Sequence, residues 1–177
     1  AASPFVLQGM YGLSPKTYSI IFGCNALSLM FFAFGTARNA RRLGEARLLR
    51  IGNTLRAVAC VGVLGVTVVS PTSPVPLLIG LFFMIALQGM TLPTSFTIGI
   101  SAQNVGAGTA SGILGVSVFI FGALTSPLVG LAGGGTALPL GIVSAVTGVA
   151  SALLGYVGER ELKKLRAASG PEAQAHP

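Results

Sequence analysis

Residues 75–99 read VPLLIGLFFMIALQGMTLPTSFTIG, a stretch of 25 residues without a charged side chain. An α-helix rises about 1.5 Å per residue, so about 20 residues cross the roughly 30 Å hydrocarbon core of a bilayer. Pro76 stands in the first turn of the expected helix, where proline is tolerated. The alternation of polar and apolar residues that marks a β-barrel strand is missing here. The stretch therefore predicts a transmembrane helix.

Four further stretches have the same length and apolar character. They cover residues 17–36, 52–70, 107–132 and 136–157. With 75–99 they predict an all-α transmembrane protein with about five spans, a helical bundle over residues 17–157. We expect residues 1–16 to be the end of a truncated span and an outer loop, and residues 158–177 to be a polar cytoplasmic tail.

The composition excludes a soluble globular domain. Only 8% of the 177 residues are charged and 52% are hydrophobic, with a mean hydropathy of +0.81. A soluble domain carries about 25% charged residues, because its surface contacts water. The predicted surroundings are therefore a lipid bilayer. The net charge of +7 does not indicate a nucleic-acid partner, because the chain has no Trp, no finger motif and no aromatic-rich basic stripe.

The distribution of charge predicts the orientation. The segment after the first span contains Arg38, Arg41, Arg42, Arg47 and Arg50 against the single acidic residue Glu45. Basic residues also outnumber acidic residues in the tail, whereas the intervening segments 71–74 and 133–135 carry no charge. Four spans separate the two basic segments, so both lie on one side, which the positive-inside rule makes cytoplasmic. We expect a multi-pass protein of the cell inner membrane with a cytoplasmic C-terminus.

The reactive residues do not form an enzyme site. Cys24 and Cys60 both fall in apolar runs, and His176 is the sole histidine. No catalytic dyad, metal-ligand cluster or phosphate-binding loop can be assembled, so we expect neither an enzyme nor a metal or organic cofactor. Arg56 is the one charged residue inside a span, about one turn into the second. We expect its long side chain to snorkel to the interface, and the alternative is a functional intramembrane charge.

Uncharged polar side chains within the spans are the candidates for substrate contact. Asn25, Gln88 and Thr91 lie mid-span, where an amide left unpaired in lipid is costly, so they should face the bundle or an aqueous cavity. A hydrogen bond between helices is the alternative. Gln88 is the preferred candidate because we expect Gly89 and Pro93 to interrupt the helix beside it, and interrupted helices line transporter cavities.

Small residues indicate close helix packing. Spacing of four residues places small side chains on one helix face, where two backbones approach closely. The pairs are Gly108/Gly112, Ser144/Gly148, Gly148/Ala152 and Ser151/Gly155. Pro93 and Pro127 lie inside predicted spans, and each is expected to kink its helix.

Seven short segments carry a resemblance to a known family. They are SPFVLQ (3–8), YGLSP (11–15), GTARNARRLG (35–44), LLRIG (48–52), GAGTASG (106–112), FGA (121–123) and SPLVG (126–130). In order and spacing they resemble the major facilitator superfamily, and more closely its bicyclomycin/chloramphenicol-resistance type of drug:proton antiporter. The resemblance covers residues 3 to about 160.

The resemblance implies a second-half fragment of a major facilitator-type helical bundle. Residues 35–44 would be the second-half copy of the glycine- and arginine-rich cytoplasmic loop, a gate or topology anchor formed by Gly35, Arg38, Arg41, Arg42 and Gly44. The implied function is multidrug efflux, and hence antibiotic resistance, by alternating access in a proton-coupled antiporter. The implied partners are a small amphipathic or cationic drug-like substrate, protons, and a missing N-terminal half that carries the coupling residue.

Two alternatives remain open. A transporter of the same fold could carry a nutrient or metabolite. A charged sugar or acid would then need a fixed counter-charge, and none is apparent in these spans. The second alternative is a membrane scaffold or assembly subunit that transports nothing.

Overall fold

The structure is a computed structural model, and it describes residues 5–69, 73–101, 106–130 and 137–168. After a π-helical turn at Phe5–Met10, five long helices follow. They are α1 (Pro15–Leu43), α2 (Glu45–Val69), α3 (Pro74–Ser101), α4 (Ala107–Gly130) and α5 (Leu138–Ala168). No strand occurs within the described ranges. All five helices are long and apolar enough to cross a membrane, so the predicted all-α transmembrane architecture is confirmed.

Several predicted features lie partly or wholly outside the described residues. They are residues 1–4 of the expected truncated span, the outer segments 71–74 and 133–135, and the tail beyond Ala168 with His176.

Local sequence signals account for the start of α1. The Ser14 Oγ accepts a hydrogen bond from the Thr17 N–H at 3.1 Å, and Pro15 occupies the first helical position. The first N–H groups of a helix lack an intrahelical partner, and a serine just before the helix can accept a hydrogen bond from one of them. Proline in the first turn has no N–H group that would need a partner.

The joint between α1 and α2 is a single residue. Gly44 has φ of +79°, a conformation that glycine adopts without strain, and its N–H donates to the Ala40 carbonyl at 3.0 Å. The sequence predicts a loop across the arginine-rich residues, but the structure continues α1 to Leu43 and begins α2 at Glu45. Helices α1 and α2 are therefore longer than their apolar spans, because arginine-rich segments can continue a helix beyond the membrane, in water. We call this side of the molecule the Gly44 end.

Helix α2 is the centre of the bundle, and its closest partner is α5. Three glycines of α5, seven residues apart, face residues of α2 that are also seven residues apart. The facing pairs are Gly141 with Thr67, Gly148 with Cys60, and Gly155 with Asn53. A Cβ added at Gly148 would lie 2.7 Å from the Cys60 Cβ, and one added at Gly155 would lie 2.9 Å from the Asn53 Nδ2. The seven-residue period matches the two helices over several turns. This contact is named the glycine seam.

Helix α3 joins α1 to α2 by similar close approaches. Gly52 of α2 faces Thr91, where an added Cβ would lie 2.9 Å from the Thr91 Cγ2. Gly89 faces the backbone carbonyl of Leu29 in α1, with no room for a Cβ. The expected interruption at Gly89 is therefore wrong: α3 is one continuous helix, and Gly89 is its point of closest contact with α1. Small residues again bring two backbones together.

The sequence also predicts two proline kinks and a close packing of the glycine pair in α4. Pro93 and Pro127 both lie within unbroken helices, and the bends they cause stay predictions. Gly108 and Gly112 have no described atom within 4 Å of an added Cβ, so the expected packing is not made within the described chain. In α5, Gly148 and Gly155 do allow the expected close approach to another helix, α2.

The apolar side chains divide into a small core and a large outer surface. At the end opposite Gly44, a cluster of buried residues joins the helices: Leu7, Val63, Leu77, Leu81, Ala137 and Leu140. Many large apolar side chains point outward, including Phe31 at 76% exposed and Phe119 at 80%. A soluble protein rarely exposes such continuous apolar surface. In a membrane such a surface can contact lipid or further helices instead of water.

Candidate functional site

The buried hydroxyl groups are mostly satisfied within their own helices. Thr36 donates to the Phe32 carbonyl, Thr67 to Leu64 and Thr94 to Met90, each at 2.8 Å. A hydroxyl bonded in this way no longer needs a partner on another helix, so its cost in an apolar environment is small. These three threonines are therefore buried between helices without defining a binding site.

Asn25 is the buried amide of α1. It is 9% exposed, and its backbone carbonyl accepts from the Ser28 Oγ at 2.8 Å. It lies one turn before Leu29 on the face that meets α3. No hydrogen bond of its side chain to another described residue is found. Asn25 therefore fits either an interior hydrogen bond or a ligand contact, as its sequence position predicts.

Gln88 and Thr91 lie on α3 but differ in their surroundings. Thr91 is 4% exposed; its methyl group faces Gly52, and its hydroxyl makes only a long contact of 3.5 Å to the Gln88 carbonyl. Gln88 is half-buried and stands three turns before Gly99, which meets Leu114 of α4. The structure therefore places Thr91 in the α2–α3 packing, and Gln88 on the same face of α3 as Gly99, which meets α4.

Arg56 follows the start of the predicted apolar span, residue 52, by about one helical turn. It stands 11 residues after Glu45 and 13 before Val69, at the middle of α2. Gly52, one turn earlier, faces α3, and Cys60, one turn later, faces α5, so Arg56 points between these two helices. Its Nε is buried and has no hydrogen-bond partner in the described chain. Helix α2 begins two turns before the predicted apolar span, at Glu45, so the expected position of Arg56 one turn inside the membrane stays a prediction. The side chain is only partly buried, and its unpaired Nε fits both snorkelling to the interface and the alternative, a functional intramembrane charge.

The residues predicted to form a gate lie at the Gly44 end. Gly35 is half-buried, and its carbonyl accepts from the Asn39 Nδ2 at 2.8 Å. Arg38, Arg41 and Arg42 are exposed on the last turns of α1, and within the described residues none of them forms an ion pair. They belong to helix α1, and Gly44 alone forms the turn. Their role as a gate stays a prediction.

A cavity of about 860 Å³ opens at the Gly44 end. Its walls come from the end of α1, the start of α2, the end of α3 and the C-terminal part of α5. Arg47, Arg50 and Asn53 of α2 line it, opposite Tyr156 of α5. Asn53 is not predicted as a site residue, because it stands at the polar start of the second predicted span, between Arg50 and Arg56, where an amide is not unusual. We call this space the Gly44-end cavity.

A second cavity, of about 650 Å³, is a groove on the outside of α1, α2 and α3. Its lining is apolar throughout, with Phe32, Val58 and Phe83 among the larger side chains. Neither cavity is lined by Asn25, Gln88 or Thr91. Neither of these two cavities therefore brings the three predicted substrate contacts together.

The chain is an all-α, multi-pass membrane protein in which the described residues hold no cluster of three His, Cys, Asp or Glu side chains. It is similar to the "Uncharacterized MFS-type transporter YdgK" of Bacillus subtilis (strain 168), with 35% identity over 154 residues. The aligned region covers 86% of this chain and 38% of that relative. No family model and no solved structure matches the chain. The similarity is to a transporter of the major facilitator type and not to an enzyme, as the sequence predicts.

Proposed function

We propose that this chain forms part of a major facilitator transporter that exports small amphipathic or cationic molecules by alternating access. The observation that carries the proposal is the similarity to an MFS-type transporter along 154 residues, together with five helices able to cross a membrane. The chain spans 38% of that relative, so the other wall of a transport path would come from residues beyond the match. Two helical bundles rocking about a midplane site would supply alternating access.

Proton coupling in this proposal depends on a carboxylate outside the chain. Its acidic residues are Glu45, Glu159, Glu161 and Glu172. Glu45 begins α2, and the others lie in the C-terminal part of α5 or beyond it. A proton relay across a membrane needs an ionisable group within the apolar region. None of these carboxylates meets that need, so we place the coupling residue in the part of the transporter that the match does not reach.

A second candidate function is the transport of an organic anion. It is favoured by Arg56, whose buried Nε has no hydrogen-bond partner in the described chain. A guanidinium within a transmembrane helix can pair with a carboxylate or phosphate of a substrate, and it would repel a cation. This candidate corresponds to the nutrient or metabolite transporter that the sequence leaves open.

Transport by the full-length gene product in inverted membrane vesicles tests both candidates. The first arm follows a fluorescent lipophilic cation, and we expect accumulation driven by an acidic vesicle interior and abolished by a protonophore. The second arm follows labelled organic anions under the same gradient. Movement of anions without movement of the cation would replace the drug-export proposal by the second candidate. Movement of neither, in vesicles that contain the folded protein, would favour a scaffold.

A further inference from the structure

We propose that the Gly44-end cavity binds the phosphodiester headgroup of an anionic membrane phospholipid. The cavity lies at one end of the helical bundle, where the headgroups of one leaflet would surround it. Its volume of about 860 Å³ falls in the range of sites for drug-sized molecules and far exceeds the space a bare anion needs. It can hold a phosphate together with its glycerol. Lipid binding here is independent of the transported substrate.

The charges that line the cavity suit a phosphate. Arg47 and Arg50 are three residues apart on α2, so they lie on neighbouring positions of one helix face. Glu45 also lines the cavity and opposes one of these charges, which leaves the lining with a net positive charge. A guanidinium group presents parallel N–H donors that match two oxygens of a phosphate, and it does so better than an ammonium group.

A third arginine is attached to the opposite wall. Tyr156 lines the cavity from α5, and its hydroxyl oxygen accepts a hydrogen bond from an Arg160 Nη at 3.0 Å. The Arg160 guanidinium carbon also lies 4.5 Å from the centre of the Tyr156 ring. These two contacts hold the exposed Arg160 against Tyr156, next to the residues of α5 that line the cavity. Arg160 does not itself line the cavity, so it adds positive charge at the edge of the space that Arg47 and Arg50 line from α2.

The inner part of the cavity is suited to the uncharged part of a lipid. Asn53 is 9% exposed and lines the cavity, with Gly155 close to its amide. The amide can donate to an ester or phosphate oxygen. Leu49 and Ile98 supply apolar contacts beside it. A soluble phosphate would leave these apolar walls in contact with water, whereas the glycerol and first methylenes of a lipid would cover them.

Retention of lipid by the purified full-length protein tests the proposal. Protein is reconstituted in phosphatidylcholine with an equal amount of phosphatidylglycerol, and the lipids that stay bound are counted by native mass spectrometry. We expect the double variant Arg47→Gln/Arg50→Gln to retain at least about fivefold less phosphatidylglycerol. The matched control is Arg41→Gln/Arg42→Gln, which removes the same charge from the same end but from residues outside the cavity lining. We expect the control to change retention less than twofold.

Two further arms decide the remaining outcomes. Ser101→Glu adds a negative charge to the cavity wall without removing an arginine, and it should lower retention even if the double arginine variant does not fold. Equal losses in the arginine variant and its control would overturn the proposal in favour of general surface attraction. Inorganic phosphate at millimolar concentration is not expected to displace the lipid. Displacement by inorganic phosphate would reassign the cavity to a free anion.

Discussion

Gly148 of α5 lies against Cys60 of α2 so closely that a Cβ at position 148 would stand 2.7 Å from the Cys60 Cβ and 2.8 Å from its Sγ. The next nearest atom, the Cα of Ala57, is 3.6 Å away. Cys60 is 1% exposed, so its side chain has little freedom to move aside. This pair sets the separation of α2 and α5 at the middle of the glycine seam.

Gly148→Ala is therefore expected to destabilise the protein, although alanine favours helix more than glycine does. Overpacking of a close helix contact costs about 1–3 kcal/mol, which exceeds the gain of about 1 kcal/mol in helix propensity. The measurement is thermal unfolding of the full-length protein in detergent, together with its abundance in membranes. The control is Gly112→Ala, where an added Cβ meets no described atom within 4 Å. An equal loss in the control would contradict the seam as the cause.

The same contact predicts a specific rescue. Cys60→Gly removes both atoms that an alanine at position 148 would strike, whereas Cys60→Ala keeps the Cβ. We expect Gly148→Ala to cost less stability in the Cys60→Gly background than in the Cys60→Ala background. A double-mutant cycle measures this coupling. Additive effects in both backgrounds would mean that position 148 acts through another neighbour.

The sequence predicts the five membrane helices well, because a long apolar run is a local feature that can be recognised without knowledge of the rest of the fold. It predicts their pairing less well. The repeated small residues of α5 do pack closely, but at a spacing of seven residues and not of four, whereas the Gly108/Gly112 pair meets no described neighbour. A small-residue motif shows that a close approach is possible. Which helix approaches depends on the whole bundle, which no single segment encodes.

The candidate site shows the same limit. Asn25 is buried as predicted, but the start of α2 at Glu45 is not predicted, because hydropathy marks the apolar part of a helix and not its start. The Gly44-end cavity combines residues from four helices that are far apart in sequence, so no local pattern could predict it.

The orientation of the chain is tested by labelling. Ala46 is exposed near the Gly44 end, and Ser73 precedes α3 at the opposite end of the bundle. Single cysteines at these positions, in a background without Cys24 and Cys60, should react oppositely with an impermeant maleimide added outside cells. We expect Ser73→Cys to be labelled and Ala46→Cys to be protected, because the arginine-rich end should be cytoplasmic. Reversed labelling would invert the topology, and labelling of both would contradict a membrane-crossing α2.

Gln88 and Thr91 are expected to respond differently to substitution. Gln88→Leu should lower transport several-fold while leaving membrane abundance unchanged, because the half-buried amide lies on the same face of α3 as Gly99 and has no hydrogen bond to another described residue. Thr91→Val keeps the methyl group against Gly52 and removes a hydroxyl with only a 3.5 Å contact, so both quantities should stay within about twofold. Loss of abundance in Gln88→Leu would identify a packing hydrogen bond instead.

Substitution of Arg56 is expected to change transport and stability in opposite directions. A buried donor without a partner costs about 1–3 kcal/mol, so Arg56→Met, which fills similar volume without that donor, should leave the unfolding temperature unchanged or raise it. If Arg56 pairs with an anionic substrate, the same variant should lose anion transport by more than tenfold, because the positive charge is gone. Arg56→Lys keeps the charge without the planar fork and should retain part of the activity. The matched control is Arg42→Met, an exposed arginine outside the bundle interior. A lower unfolding temperature for Arg56→Met alone would mean that Arg56 pairs with a group of the full-length protein and stabilises its fold.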